Sequence, residues 1–305
     1  MKEPDCDVIV VGAGFAGIYA LWQARQRGLN VRGFERGADV GGTWYWNTYP
    51  GARCDVESYN YAYFFDNDIV RDWDWSDACA GHEEIQRYLR FVAQRCDVLR
   101  DIVFNTQVQS LSYDEDSGLW VLVTDACETV VCRYAILAIG ALSEPKAPDI
   151  SGVVNFAGEA YFTSNWPKEG SVDLSGKRVG VIGTGSSGVQ VIPEIANVAA
   201  EVCVFQRTAN YVTPTRSGPM DPTVVARLRA DPQAIRRAFR ESFGGQTPLE
   251  MGDERFVDLD GAGRERALQR AWDGRHVQLA FRDAYVPEAN AAISDFIRAR
   301  MHEQV

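Results

Sequence analysis

Two short segments carry the residue types and spacing needed to hold a pyrophosphate: Gly12-Ala13-Gly14-Phe15-Ala16-Gly17 and Gly183-Thr184-Gly185-Ser186-Ser187-Gly188. Each follows an apolar run that reads as a strand and opens a segment with helical spacing. In such a turn the first glycine permits a tight bend, the second lets the backbone approach a diphosphate, and the third lets the helix pack closely on the strand. The helix N-terminus then offers N–H groups and a favourable dipole to the anion. One turn of this kind is weak evidence, but a matched pair predicts two dinucleotides in one molecule and electrons passed between them.

The residues beyond the two turns differ in charge. Glu35 stands 18 residues after Gly17 (35 − 17), at the end of an expected strand, where a carboxylate accepts hydrogen bonds from a ribose diol. Arg207, followed by Thr208, stands 19 residues after Gly188 (207 − 188). A guanidinium there suits a 2′-phosphate that a carboxylate would repel, which favours NADP over NAD. The bland alternatives are a glycine turn without a ligand and an arginine that is simply solvated.

Two further constellations stay open on residue chemistry alone. Gly41-Gly42-Thr43-Trp44-Tyr45-Trp46 sets small residues beside large flat ones, which fits either a cover for a ring system or a loop that uses its aromatics as core. Tyr49-Pro50-Gly51-Ala52-Arg53-Cys54-Asp55 reads as a turn whose Arg53 and Asp55 are either a local surface pair or part of a site.

These residues need a scaffold, and the apolar periodicity supplies one. Asp7 to Val11 and Val31 to Phe34 read as strands around a helix that Gly28 stops, a βαβ unit of about 30 residues. A helix at Glu83 to Ala93 follows, then strands near Ile102 to Phe104, Gln107 to Tyr113 and Leu119 to Thr124, and a buried strand at Tyr134 to Ile139. Two prolines, Pro145 and Pro148, in Ser143 to Gly152 mark an extended connection. The second unit then reads as strand Arg178 to Ile182, helix Val189 to Ala200 and strand Val202 to Phe205. Helical stretches are expected at Pro222 to Arg240, Arg264 to Trp272 and Glu288 to Met301, with Asp260-Gly261-Ala262-Gly263 as a turn. The fold class expected is α/β: two Rossmann-like dinucleotide-binding domains and a helical C-terminal segment. The expected divisions are 1–142, a linker at 143–175, 176–215 and 216–305.

Composition limits the partners. A formal charge of −11 over 305 residues argues against nucleic acid and anionic membrane, both of which select basic surfaces. Seven cysteines, none in a CxxC pair, fit reduced thiols packed as small hydrophobes, and three scattered histidines offer no metal centre. No apolar run approaches the roughly 18 residues of a spanning helix, so a cytoplasmic protein is the expectation.

Taken together, the residues resemble the type I Baeyer-Villiger monooxygenases, FAD- and NADPH-dependent enzymes that insert oxygen beside a ketone. The resemblance rests on the two turns in this order, on the loop from Gly41-Gly42-Thr43-Trp44 through Tyr49-Pro50-Gly51 to Asp55, and on the connector from Phe156-Ala157-Gly158 to Trp166-Pro167. The connector follows the family pattern F-x-G-x-x-x-H-x-x-x-W-P placed just before the NADPH turn. The resemblance implies that Gly12, Gly14, Gly17 and Glu35 hold the adenosine diphosphate of FAD, with Phe15, Ala16, Arg36, Tyr59 and Gly140 in the same cofactor-binding set. Gly42, Thr43, Trp44 and Asp55 would lie near the flavin. Gly183, Thr184, Gly185, Ser186, Ser187, Gly188, Arg207 and Thr208 would hold NADPH. In that family NADPH reduces the flavin, and O2 adds to give a C4a-peroxyflavin that attacks the ketone and yields an ester or lactone. Asp55 matches the catalytic carboxylate that pairs with an arginine beside the flavin.

Two departures modify what the resemblance implies. Phe162 replaces the connector histidine, and Thr48 stands where the loop commonly has arginine. Family members are also much longer, with a second half that completes both domains and supplies the catalytic arginine, which has no motif-matched candidate here. The sequence therefore predicts the N-terminal portion of such an enzyme, whose C-terminal part is either supplied by a companion polypeptide or missing from this sequence. A diverged NADPH oxidase or heteroatom oxygenase, and a non-catalytic cofactor-binding subunit, are the alternatives.

Overall fold

The structure, a computed structural model, describes residues 3–146, 148–168, 172–215, 217–242, 244–245 and 252–304. Parts of the expected linker (147 and 169–171) lie outside the described residues. The strands are β1 (Cys6–Val11), β2 (Val31–Phe34), β3 (Ile102–Val103), β4 (Val108–Asp114), β5 (Leu119–Thr124), β6 (Thr129–Leu137), β7 (Arg178–Ile182) and β8 (Glu201–Phe205). The helices are α1 (Phe15–Gln26), α2 (Thr43–Trp46), α3 (Asn67–Asp72), α4 (His82–Arg95), α5 (Ser186–Ala196), α6 (Pro222–Ala230), α7 (Pro232–Glu241), α8 (Gly261–Asp273) and α9 (Pro287–Gln304). Contacts divide the chain into two units: Met1–Arg53, Gly81–Lys177 and Pro193–Ala200 form one, and Cys54–Ala80, Arg178–Ile192 and Glu201–Val305 form the other.

The first unit is built on a six-stranded sheet in the order β3-β2-β1-β6-β5-β4. β1 runs parallel to both β2 and β6, with Val10 opposite Gly33 on one side and Ile136 on the other. A parallel pair needs a crossover, and α1 provides it between β1 and β2. Leu21 of α1 packs over Gly33, where an added Cβ would stand only 3.2 Å from the leucine methyl. β4, β5 and β6 form an antiparallel meander. Cys6, Ile9, Phe34, Leu122, Val130 and Cys132 pack as one cluster across the sheet. Helix α4 buries Ile85, Tyr88, Leu89 and Val92 at helical spacing, and its acidic first turn and basic last turn suit the helix dipole.

β6 differs from the buried strand expected at its end. It begins at Thr129, its first half is buried, and Tyr134, Ile136 and Leu137 stand exposed, followed by Ile139 and Leu142 at 53% and 75% exposure. Their exposures run from 40% at Ile136 to 75% at Leu142.

The second unit contains the parallel pair β7 and β8, in register from Arg178 opposite Glu201 to Ile182 opposite Phe205. Its helical segment closes on Phe256, Leu268, Val277, Phe281, Ile293 and Ile297. The single helix expected over Pro222 to Arg240 is two, because Asp231 ends α6 and caps α7 by accepting the Ala234 N–H at 2.9 Å, with Pro232 at the first helical position. The turn expected at Asp260 to Gly263 is instead the start of α8, where Asp260 accepts the Gly263 N–H at 2.7 Å.

Candidate functional site

The first turn is shaped by steric exclusion at two of its glycines. Gly12 has φ +98°, and a Cβ on it would stand 2.5 Å from the Ala138 carbonyl oxygen. A Cβ on Gly17 would stand 1.8 Å from the Gly12 carbonyl oxygen, so the fold itself demands glycine at both places. Gly14 is different. Its backbone is extended, with φ −82°, and an added Cβ would meet nothing closer than the Gly42 Cα at 3.4 Å. The protein's own packing leaves room for a Cβ there, unlike at Gly12 and Gly17. Gly14 caps α1 without a side-chain hydrogen bond, and the first turn of α1 has no acidic residue. Those features leave backbone N–H groups to an anion such as a diphosphate.

Glu35 fixes this turn from below. It is 5% exposed, and its carboxylate accepts the Ala13 N–H at 2.7 Å through Oε2 and the Gly37 N–H at 2.7 Å through Oε1. A carboxylate offers about four acceptor positions, so two backbone bonds leave capacity for a ribose diol. Gly41 N donates to the Ala13 carbonyl at 3.1 Å, and Gly42 lies against Gly14. Phe15 and Ala16 open α1, and Gly140, with φ +72°, follows β6.

Within the aromatic loop, both open readings find residues. Trp44 is buried as core, whereas Thr43 is exposed and its carbonyl accepts the Asn47 side-chain amide at 2.9 Å. Tyr45 and Trp46 form a platform for cations. The Arg36 guanidinium lies 4.6 Å from the Trp46 ring centre and donates to the Ser143 carbonyl at 3.2 Å. The Lys168 ammonium sits 2.8 Å from the Tyr45 ring centre and 4.5 Å from that of Trp46. Burial of the ammonium pushes the Lys168 pKa down to about 8, while Glu35 and Asp39 oppose the shift. Sequence reasoning missed Lys168, although its place directly after Trp166-Pro167 was a usable signal.

The second turn repeats the first. Gly183 has φ +102°, its N–H donates to the Phe205 carbonyl at 2.9 Å, and a Cβ on Gly188 would stand 2.4 Å from the Gly183 carbonyl oxygen. A Cβ on the middle glycine, Gly185, would meet nothing within 4 Å. Ser186 and Ser187 open α5, whose first turn is also free of acidic residues. Thr184 is braced by Gln206 Nε2 on its hydroxyl at 2.9 Å and by Asn210 Nδ2 on its carbonyl at 3.0 Å, two residues that the motif did not reveal. Arg207 and Thr208 are exposed just past β8.

Two expected site residues, Asp55 and Tyr59, belong to the second unit rather than the first. Tyr59 is buried among Phe64, Val70, Leu228 and Phe239, its ring 6.2 Å from that of Phe239. The Asp55 carboxylate accepts Gln190 Nε2 at 2.7 Å, within the same unit.

A glycine turn opening α1, a buried carboxylate at the end of β2 and a second turn of the same design form the pattern of dinucleotide-binding folds. The chain belongs to the flavin-binding monooxygenase-like family, whose model matches residues 5–230. It is 39% identical to 2-oxo-Delta(3)-4,5,5-trimethylcyclopentenylacetyl-CoA monooxygenase of Pseudomonas putida, covering 100% of this chain and 57% of that protein. It is 41% identical to cyclohexanone 1,2-monooxygenase of an Acinetobacter species, covering 100% of this chain and 56% of the relative. Among solved structures, a complex of OTEMO with FAD and NADP matches with TM-score 0.92 at 39% identity, over 100% of this chain and 58% of that one. An oxidized steroid monooxygenase bound to NADP matches with TM-score 0.89 at 42% identity, over 98% and 58%. The chain thus spans somewhat over half the length of these relatives.

Proposed function

We propose that this chain is the nucleotide-binding portion of an FAD- and NADPH-dependent monooxygenase of the Baeyer-Villiger type, acting on a small-molecule ketone with O2. The observation that carries the reading is the pair of central glycines, Gly14 and Gly185, where an added Cβ would meet no protein atom closer than 3.4 Å, which leaves room for a diphosphate to approach the backbone. FAD fits the first turn, with Gly12, Gly14 and Gly17 around its diphosphate and Glu35 on its ribose. NADPH fits the second, with Arg207 and Thr208 on the 2′-phosphate, which a guanidinium binds through charge-assisted hydrogen bonds.

Bound FAD and NADPH supply hydride transfer and the activation of O2, and the protein binds and orients them. Glu35 locks the first turn and takes the ribose, while the N-terminus of α1 offsets phosphate charge. Asp55, as the carboxylate matched by the family motif, holds a cationic partner in place by opposite charge. The remaining length that the relatives carry would supply that partner. The exposed apolar run from Tyr134 through Leu142, with Ile182 and Phe205 exposed in the second unit, supports such a completion, since apolar faces of this extent mark interaction surfaces.

Co-expression with a polypeptide corresponding to the remaining length of the relatives tests the reading. The complex should retain FAD, oxidise NADPH in preference to NADH, and convert ketones to esters or lactones detectable by mass spectrometry. A soluble complex without flavin, or one that oxidises NADPH and never oxygenates any member of a ketone panel, would refute it.

A further inference from the structure

Gln190 links two features of the second unit that the sequence presents as unrelated. It lies four residues beyond Ser186 (190 − 186), within the first turns of α5, the helix that the second glycine turn opens. The start of that helix is held to the turn by the Val189 N–H donating to the Gly185 carbonyl at 2.9 Å, and by the close approach of Gly188 to the Gly183 carbonyl. From this anchored position Gln190 Nε2 donates to Asp55 Oδ1 at 2.7 Å, across 135 residues of sequence. Asp55 itself lies outside the named strands and helices, in the stretch between α2 and α3.

We propose that Gln190 is a positioning residue that holds the Asp55 carboxylate in register with the NADPH turn. Nucleotide on the turn settles the N-terminus of α5, α5 carries Gln190, and Gln190 orients Asp55. The inference rests on the reading of Asp55 and of the second turn given above. A glutamine suits this task because its neutral amide donates a hydrogen bond without adding a cation that would compete with Asp55's partner. A lysine or arginine at the same place would compete with that partner, and a glutamate would repel the carboxylate.

The test uses Q190L, Q190E, D55A and the Q190L/D55A double variant, in this chain and in its completed complex. In the chain itself, the Gln190 side-chain amide resonance is followed by NMR. It should move on D55A, and it should move again when NADP+ is added to the unsubstituted chain. A resonance indifferent to D55A overturns the proposal with or without flavin. In the complex, Q190L should slow NADPH-driven flavin reduction by about tenfold, the scale of one lost hydrogen bond to a charged group, with NADPH affinity unchanged. Q190E should be slower still. The double variant should be no slower than D55A alone, whereas penalties that multiply would show two independent residues and refute the link. A complex that binds no FAD would count against the proposed function, and the amide resonance would still decide the role of Gln190.

Discussion

Glu35 accepts the backbone N–H of Ala13 at 2.7 Å, so the carboxylate at the end of the second strand is part of the turn that follows the first. This makes Glu35 a structural residue of the turn, to which the proposed function adds a role in FAD binding. Glu35→Gln keeps the size but replaces one acceptor with a donor, setting it against the Ala13 or Gly37 N–H in a buried place. The expected result is a loss of about 1 to 3 kcal/mol in stability, together with weaker FAD binding. Urea denaturation and flavin titration of the same variant check both, and unchanged stability would show that the two backbone bonds contribute nothing.

The glycines of one turn should respond differently to the same substitution. Gly17→Ala places a methyl 1.8 Å from the Gly12 carbonyl and should prevent the unit from folding. Gly14→Ala meets only Gly42 at 3.4 Å, so the protein should fold with native-like melting and lose most of its FAD affinity. Gly185→Ala and Gly188→Ala should repeat that contrast for NADPH. Circular dichroism melts beside ligand titrations separate the two effects, and a Gly14→Ala protein with full flavin affinity would remove the main support for the first site.

This difference also shows what the sequence could reveal. The turns, β1, β2, Glu35 and the helix α1 were legible because their geometry is set by a few residues close in sequence. Gln190 and Lys168 were not, since each acts through a partner more than a hundred residues away. Asp55 and Tyr59 sit in one loop region with the flavin-side residues in sequence, yet their packing partners, Gln190 and Phe239, draw them into the second unit. The second half of β6 has the apolar composition of a core strand, and composition alone does not report whether anything covers it. Asp260 was misread for a local reason: Asp-Gly suits both a turn and a helix N-cap, and only the 2.7 Å bond to Gly263 distinguishes them.

The Lys168 ammonium gives a pH signature. Its pKa is lowered to about 8 against 10.5 for a free lysine, so the folded state holds the charged form less well than water does. The sign follows from linkage: between about pH 8 and 10.5 the unfolded chain binds more protons, and stability gains from this site as pH rises. K168M should lack that gain. Urea midpoints of the two proteins measured from pH 7 to 10 should diverge in favour of the unsubstituted chain above pH 8, and parallel profiles would contradict the assignment.

Thiol reactivity should follow burial. Cys54 and Cys6 are pushed up to about 12 and about 11 by burial, whereas Cys127 and Cys203 are exposed. The thiolate is the reactive form, so iodoacetamide at pH 8 should label Cys127 and Cys203 first. Peptide mass spectrometry of a time course checks the order, and early labelling of Cys54 would mean that its surroundings open readily.

Arg207→Ala should weaken NADPH binding by about tenfold or more while leaving NADH nearly unaffected, as expected when a guanidinium that grips a 2′-phosphate is lost. Titration with both nucleotides reads this directly, and equal losses for the two would assign Arg207 a general electrostatic role.

On the proposed function, one chain carries a flavin turn and a separate NADPH turn that serve a single oxygenation. The most direct measurement is anaerobic mixing of the FAD-loaded, completed protein with NADPH, followed by O2 and a ketone, with flavin absorbance and product recorded together. NADPH should bleach the flavin, Gly185→Ala should lose that bleaching with FAD still bound, and reoxidation should yield an ester or lactone. Flavin that NADPH leaves oxidised in the intact protein, or bleaching that persists unchanged in Gly185→Ala, would contradict it.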